Sequence, residues 1–182
     1  MDLNDFGSWK NIEGYPKYMV SDQGYVLSKK TMKLLSPAVW FCGYQHVNFY
    51  QGRTRITHKV HRLVAETFLE HTSGCEFVDH IDLDRLNNNV GNLRWCTRSE
   101  NNRNVTKRSD TVSSTYKGVC WYANRSKWVA YITVDGNRHH LGYFTSEIQA
   151  AIAYNNAAVC YFTEFACLNV IPIESVLETW VF

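Results

Sequence analysis

The chain has six cysteines, at 42, 75, 96, 120, 160 and 167, and no two of them form a C-x-x-C pair. Zinc ribbons and dithiol redox centres both use that spacing, so neither is expected, and no structural zinc is expected. Scattered thiols in a chain of this size read as reduced and mostly buried, as in a cytoplasmic protein. The N-terminal stretch MDLNDFGSWKNIEG lacks a basic segment followed by an apolar run, so no signal peptide is expected. No stretch approaches the roughly 20 apolar residues of a membrane span, and no membrane partner is expected. Lysine and arginine are missing altogether from residues 141–182, which carry four acidic residues.

What is present is unevenly spread. The formal net charge is +2, yet residues 1–60 hold eight Lys/Arg against four Asp/Glu, and residues 105–140 hold six against two. Between them, residues 61–104 hold five against seven. Two basic zones around an acidic one suit a polyanion outside and a cation between. With 45% hydrophobic residues the chain can bury a core, and its 182 residues allow one ordinary domain or a few small ones.

Residues 9–60 read as short strands and turns. WKNIEGYPKYMVSDQGYVLS and YQHVNFYQGRTRITHKV alternate polar with aromatic or β-branched residues. Gln51-Gly52 marks a hairpin turn, and Arg53 and Arg55 then share a strand face. VHRLVAETFLEH changes period: Val60, Leu63, Val64 and Phe68 predict a helix over 60–70. FVDHI returns to strand, LDRLNNNVGN is loop, LRWC is strand, and Thr97 or Ser99 caps a helix. TKRSDTVSS, 106–114, reads as a linker. Residues 115–144 hold three more strands, with a turn at Asp135-Gly136. A helix capped by Ser146, with Gln149 three residues on, carries Ile148, Ala151, Ile152, Ala158 and Val159 on one face. Trp9, Trp40 and Trp95 are assigned to packing. His61, at a helix start, is read as a capping or packing residue and, second, as a base.

The segment 78–104, VDHIDLDRLNNNVGNLRWCTRSENNRN, is rich in amides and poor in core residues. Asp79 and His80 are adjacent in a strand, so their side chains face opposite ways. Asn101 on the following helix offers an amide oxygen. A carboxylate and an amide, completed by water and phosphate, hold Mg²⁺ (or Mn²⁺). Histidine supplies a base near neutral pH, and a divalent ion supplies Lewis acidity. Asn87, Asn88, Asn89 and Asn92 can pin the loop through their own backbone, and one of them can fix the His80 tautomer.

DHIDLDRLNNNVGNLRWCTRSENN resembles the HNH endonuclease motif, a strand-strand-helix metal fold. The resemblance implies His80 as general base, Asn92 as the loop brace, Asp79 and Asn101 as metal ligands, and Arg98 as a phosphate contact. Many relatives read D-H-x-D-G, and Leu83 replaces that Gly here, which leaves the loop turn open. WKNIEGYPKYMVSDQGYVLS with GYQHVNFY resembles the nuclease-associated modular (NUMOD-type) domain of phage homing enzymes. Residues 116–169, with YKGV, KWVAYI, LGYF and AAIAYNNAA, resemble the APETALA2-type DNA-binding domain. There, contacts are implied for Lys117, Arg138 and His140, with Arg125, Lys127 and Trp128 nearby; Arg53 and Arg55 are further DNA candidates.

The expectation is therefore an α+β protein of small modules. A nuclease-associated β-rich module spans 1–58, a ββα-metal HNH unit 59–105 and a linker 106–114. A three-stranded antiparallel sheet packed on one helix spans 115–170, and a tail 171–182. The function implied is a sequence-selective, divalent-metal-dependent DNA endonuclease of the homing type, phage-encoded, acting on double-stranded DNA as a monomer or homodimer. The alternative is a DNA-binding regulator with a vestigial nuclease centre.

Overall fold

Tyr18 and Val20 point inward from one strand while Lys17 stays exposed, and Val47 and Phe49 do the same on a later strand with Asn48 exposed between them. The computed structural model describes residues 3–105 and 113–172; most of the expected linker and all but two residues of the expected tail lie outside them. By contacts the chain divides into two units, Met1–Asn101 and Asn102–Phe182.

In the first unit, β1 (Trp9–Ile12), β2 (Tyr15–Ser21), β3 (Val26–Ser28) and β4 (Lys33–Leu34) make an antiparallel meander. β5 (Ala38–Val39), β6 (Gln45–Gln51) and β7 (Thr54–Lys59) form a second sheet. Then α1 (Val60–Phe68) crosses to a two-stranded ribbon, β8 (Phe77–His80) and β9 (Leu93–Cys96), followed by α2 (Arg98–Arg103). Val60, Leu63 and Val64 of α1 are buried at the spacing the sequence dictates. Each such side chain contributes about 1.5–3 kcal/mol when fully buried.

One cluster holds Ile12, Tyr18 and Val20 of the first sheet, Val47 and Phe49 of the second, α1, and Val78, Leu93 and Trp95 of the ribbon. Residues 1–58 and the following ribbon thus share a core instead of closing two separate ones. A sheet must bury its apolar face against another layer, and α1 supplies part of that layer here.

Several local expectations are corrected. Arg53 sits in the β6–β7 turn, where Gly52 has φ +62°, and only Arg55 lies in β7. Trp40 is 47% exposed, stacked on His46 at 4.1 Å, instead of in the core. Of the six thiols, only Cys75 and Cys96 are buried, and Cys160 is exposed.

The second unit holds β10 (Val119–Tyr122), β11 (Lys127–Val134) and β12 (Asn137–Phe144) in an antiparallel sheet, with α3 (Glu147–Phe162) against one face. Ser146 caps α3 by accepting from the Ile148 amide at 3.2 Å, while Gln149 pairs with the Thr145 hydroxyl instead of closing a capping box. The buried face is Ala150, Ala151, Tyr154, Ala158 and Phe162. It is rotated from the expected one, leaving Val159 52% exposed, because alanines let the helix approach the strands while two rings fill the gaps. Gly118 (φ +74°) shows how close that approach is: a Cβ there would overlap the Tyr154 ring and the Tyr131 carbonyl. Asn169 fastens the end of the unit. Its side chain accepts from the Lys117 amide at 2.6 Å and donates to the Lys117 carbonyl at 3.1 Å, and its backbone pairs with the Asn155 amide group.

Candidate active site

The β8–β9 ribbon sets the site. Its antiparallel register places Asp79 opposite Arg94 and His80 opposite Leu93. His80 is only 4% exposed, and its Nε2 lies 3.2 Å from the Asn88 side-chain oxygen. The Asn88 amide nitrogen donates to the Leu86 carbonyl at 3.1 Å and to Gln45 Oε1 at 2.9 Å. A main-chain carbonyl can only accept, so this fixes the amide's orientation, with its oxygen toward the ring. Nε2 of the neutral ring therefore carries the proton, and Nδ1 is the lone-pair nitrogen. Burial lowers the His80 pKa below its usual 6.5, against the opposing pull of Asn88, Asp82, Asp79 and Asp84. The ring stays neutral at physiological pH.

The amides of the loop have separate tasks. Asn92 accepts from the Asp82 backbone at 3.0 Å and donates to Asp82 Oδ1 at 2.8 Å and the Asn87 carbonyl at 2.9 Å. Asn87 donates to the other Asp82 oxygen at 2.7 Å, and Asn89 receives the Gly91 amide at 2.9 Å. Asn92 thus braces the loop through Asp82 and Asn87. Leu83 takes φ +69°, with its amide on the His80 carbonyl at 3.0 Å. The turn forms without glycine, in a conformation that costs an L-residue about 1–2 kcal/mol.

Asp79 is 4% exposed, and both Arg94 Nε (3.0 Å) and Nη2 (2.7 Å) donate to its Oδ2. Thr97 and Glu100 cap α2 reciprocally: Glu100 Oε2 accepts from the Thr97 amide and hydroxyl, each at 2.8 Å. That places Asn101 inside the helix, half-buried, and leaves Arg98 exposed at its first turn. One carboxylate and one amide oxygen suit a hard ion that keeps most of its coordination for water and phosphate. Among the described residues no group of three His, Cys, Asp or Glu gathers that could hold a metal ion.

Three neighbours carried no signal in the sequence. Arg94 is found only through the strand register. Gln45 comes from β6, and Gly24 backs the same amide: at φ +87°, an added Cβ would meet the Asn88 Cβ at 2.7 Å. His61 sits inside α1, where Lys59 and not His61 occupies the cap position. Its ring packs 4.8 Å from Tyr44 and 5.1 Å from His80. Burial first, then nearby His80, Lys59 and Arg62, lower its pKa to about 3.

In the second unit, the candidate DNA contacts separate. Arg138 lies 3.7 Å from the Tyr131 ring centre, and Arg125 lies 4.7 Å from that of Tyr143. His140 stands between the two tyrosines at 5.2 and 4.7 Å. Lys127 is exposed at the start of β11, and Trp128 packs in part against the core under α3. Lys117 is a correction: its ammonium donates to the Arg103 (2.6 Å) and Val105 (2.8 Å) carbonyls, and burial lowers its pKa. It fastens the chain and does not present a charge outward.

An HNH endonuclease family model matches residues 58–103, and a NUMOD4 motif matches 8–50. The DNA endonuclease I-HmuI of Bacillus phage SP01 is 36% identical over 129 residues, 70% of this chain and 74% of its own length. The chain belongs to the HNH endonuclease family. Other family members include the H-N-H endonuclease F-TflII of Escherichia phage T5, 34% identical over 69% of this chain and 63% of its own. An uncharacterised HNH endonuclease of Acanthamoeba polyphaga mimivirus is 36% identical over half of this chain, which spans only 27% of that relative. A solved structure described as "DNA binding and cleavage by the HNH homing endonuclease I-HmuI" superposes with a TM-score of 0.50. It is 39% identical and covers 53% of this chain and 56% of its own. No helix among the described residues is long and apolar enough to cross a membrane.

Proposed function

We propose that this HNH endonuclease is a phage-encoded, sequence-selective homing enzyme that hydrolyses phosphodiester bonds of double-stranded DNA in the host cytoplasm. The observation that carries the reading is the single His80 tautomer held by Asn88 inside the family's strand-loop-strand ribbon. With Nε2–H committed to Asn88, Nδ1 accepts the proton of the attacking water, whose oxygen bonds to phosphorus as the bond to the leaving oxygen breaks. Asp79 and Asn101 would hold Mg²⁺ or Mn²⁺, which when bound supplies charge compensation at the phosphate and the leaving oxygen. Arg94 orients the Asp79 carboxylate, Asn92 keeps the loop closed, and Arg98, exposed at the first turn of α2, would contact a flanking phosphate.

The second unit is read as an APETALA2-type DNA-binding module. Its sheet-and-helix architecture and the Arg125 and Arg138 side chains laid over tyrosines support that reading, as does a sheet's ability to enter the major groove. Arg55 and Arg53 add charge on the first unit.

The test is nicking of supercoiled plasmid with Mg²⁺ or Mn²⁺, then with EDTA in excess. EDTA is expected to abolish cutting, and Asp79→Ala to come close to it, because a lone amide holds Mg²⁺ poorly. Cutting that persists in chelator would remove the metal mechanism.

A further inference from the structure

Val39, Trp40 and Phe41 follow one another at the β5–β6 turn and are 57, 47 and 103% exposed. Isolated exposed apolar residues are ordinary, but three in a row, from the end of β5 into the turn, are not. The turn is also tied down by hydrogen bonds. The Trp40 amide reaches the Tyr44 carbonyl at 3.1 Å, and the Gly43 amide reaches the Trp40 carbonyl at 2.8 Å. The Trp40 ring is stacked on His46, and Arg85 of the catalytic loop donates to the Cys42 carbonyl at 2.8 Å. Phe41 is therefore presented to solvent by a turn fastened to the loop that carries Asn88.

The surroundings say what it meets. Tyr44, three residues on, lies 5.9 Å from His80, ring centre to ring centre. Two cations flank that tyrosine: Lys59 Nζ at 5.0 Å and the Arg85 guanidinium at 4.9 Å from its ring centre. Both residues are exposed. Gln45, the next residue, orients Asn88. The apolar tip, a pair of cations and the proposed base thus belong to one continuous patch of the first unit. Positive charge beside an exposed ring matches a nucleic acid, whose phosphates take the cations and whose base stack takes the ring.

We propose that Phe41 is a wedge that enters the base stack of duplex DNA next to the cleavage position, while Lys59 and Arg85 grip the adjoining backbone. The proposal rests on the DNA-endonuclease reading. Insertion of an apolar side chain partly unstacks a base step and bends the duplex, bringing more backbone onto the protein. Tyr44 acts as a positioning residue, aligning both cations through its ring.

A wedge of this kind unwinds DNA whatever its sequence, which gives a direct test. Relaxed closed-circular plasmid is incubated with the full-length protein in EDTA, which suppresses cutting, and treated with a metal-independent type I topoisomerase. The protein is then removed and the topoisomers are resolved, with binding followed in parallel by gel shift. The wild type is expected to bind and leave negatively supercoiled circles. Phe41→Ala, at a site that supports no packing, is expected to bind and melt like the wild type yet lose the shift, and Phe41→Leu to keep most of it. Binding without any shift by the wild type, or an undiminished shift with Phe41→Ala, overturns the wedge alone. Failure of the wild type to bind plasmid at all overturns the DNA-endonuclease reading and the wedge with it.

Discussion

The tautomer of His80 is set by a neighbouring amide outside the proposed chemistry. Asn88 turns its oxygen to the ring only because Leu86 and Gln45 occupy its nitrogen. Neighbouring His61 offers a second reading of the same physics. Its pKa of about 3, set by burial, means that between roughly pH 6.5 and 3 the unfolded chain binds a proton that the native one refuses. Stability is thus fully present above the unfolded value and falls as the pH is lowered through that window. His61→Gln is expected to flatten the fall, measured as denaturation midpoint between pH 7 and 4. An unchanged slope would assign acid sensitivity to other buried groups, His80 first.

At the scale of elements, the loop between β8 and β9 is where the sequence was hardest to read. Its asparagines announced a pinned loop, but which amide served which partner depended on contacts from Asp22 and Gln45, far away in sequence. The Val90 amide donates to the Asp22 carbonyl at 2.7 Å. Leu83 left the turn open, and the turn forms with positive φ. Because Leu83 is 38% exposed, little packing depends on it. Leu83→Gly is expected to stabilise the protein by about 1 kcal/mol, the relief of the left-handed strain less the added backbone entropy. Chemical denaturation measures it; a loss of stability instead would mean that the side chain packs more than its exposure implies. The helix expected over 60–70 was legible, though it ends at Phe68, because α1 has an apolar stripe at helical spacing. The face of α3 was misread because alanine marks inside and outside equally.

For the whole molecule, charge asymmetry and motif order pointed to DNA and to an HNH centre from the sequence alone. The shared core of residues 1–101 did not show, since a hydrophobic pattern marks which residues are buried and not which module buries them. The DNA-binding role of the second unit is open to a simple division of labour. A chain ending near Ser113 keeps the candidate site and is expected to cut, while its DNA affinity drops and the remaining binding becomes weaker still as salt is raised. Equal affinity at matched ionic strength would assign residues 114–182 another task. The central claim, that a buried neutral His80 activates the water, is tested most directly by single-turnover plasmid nicking across pH with DNA affinity measured alongside. The wild-type rate is predicted to hold through neutral pH and to fall only below the ordinary histidine value near 6.5, because burial lowers the pKa and protonation removes the base. His80→Ala is predicted to lose about 10²–10⁴-fold in rate with affinity nearly intact. Wild-type cutting by His80→Ala would contradict the account.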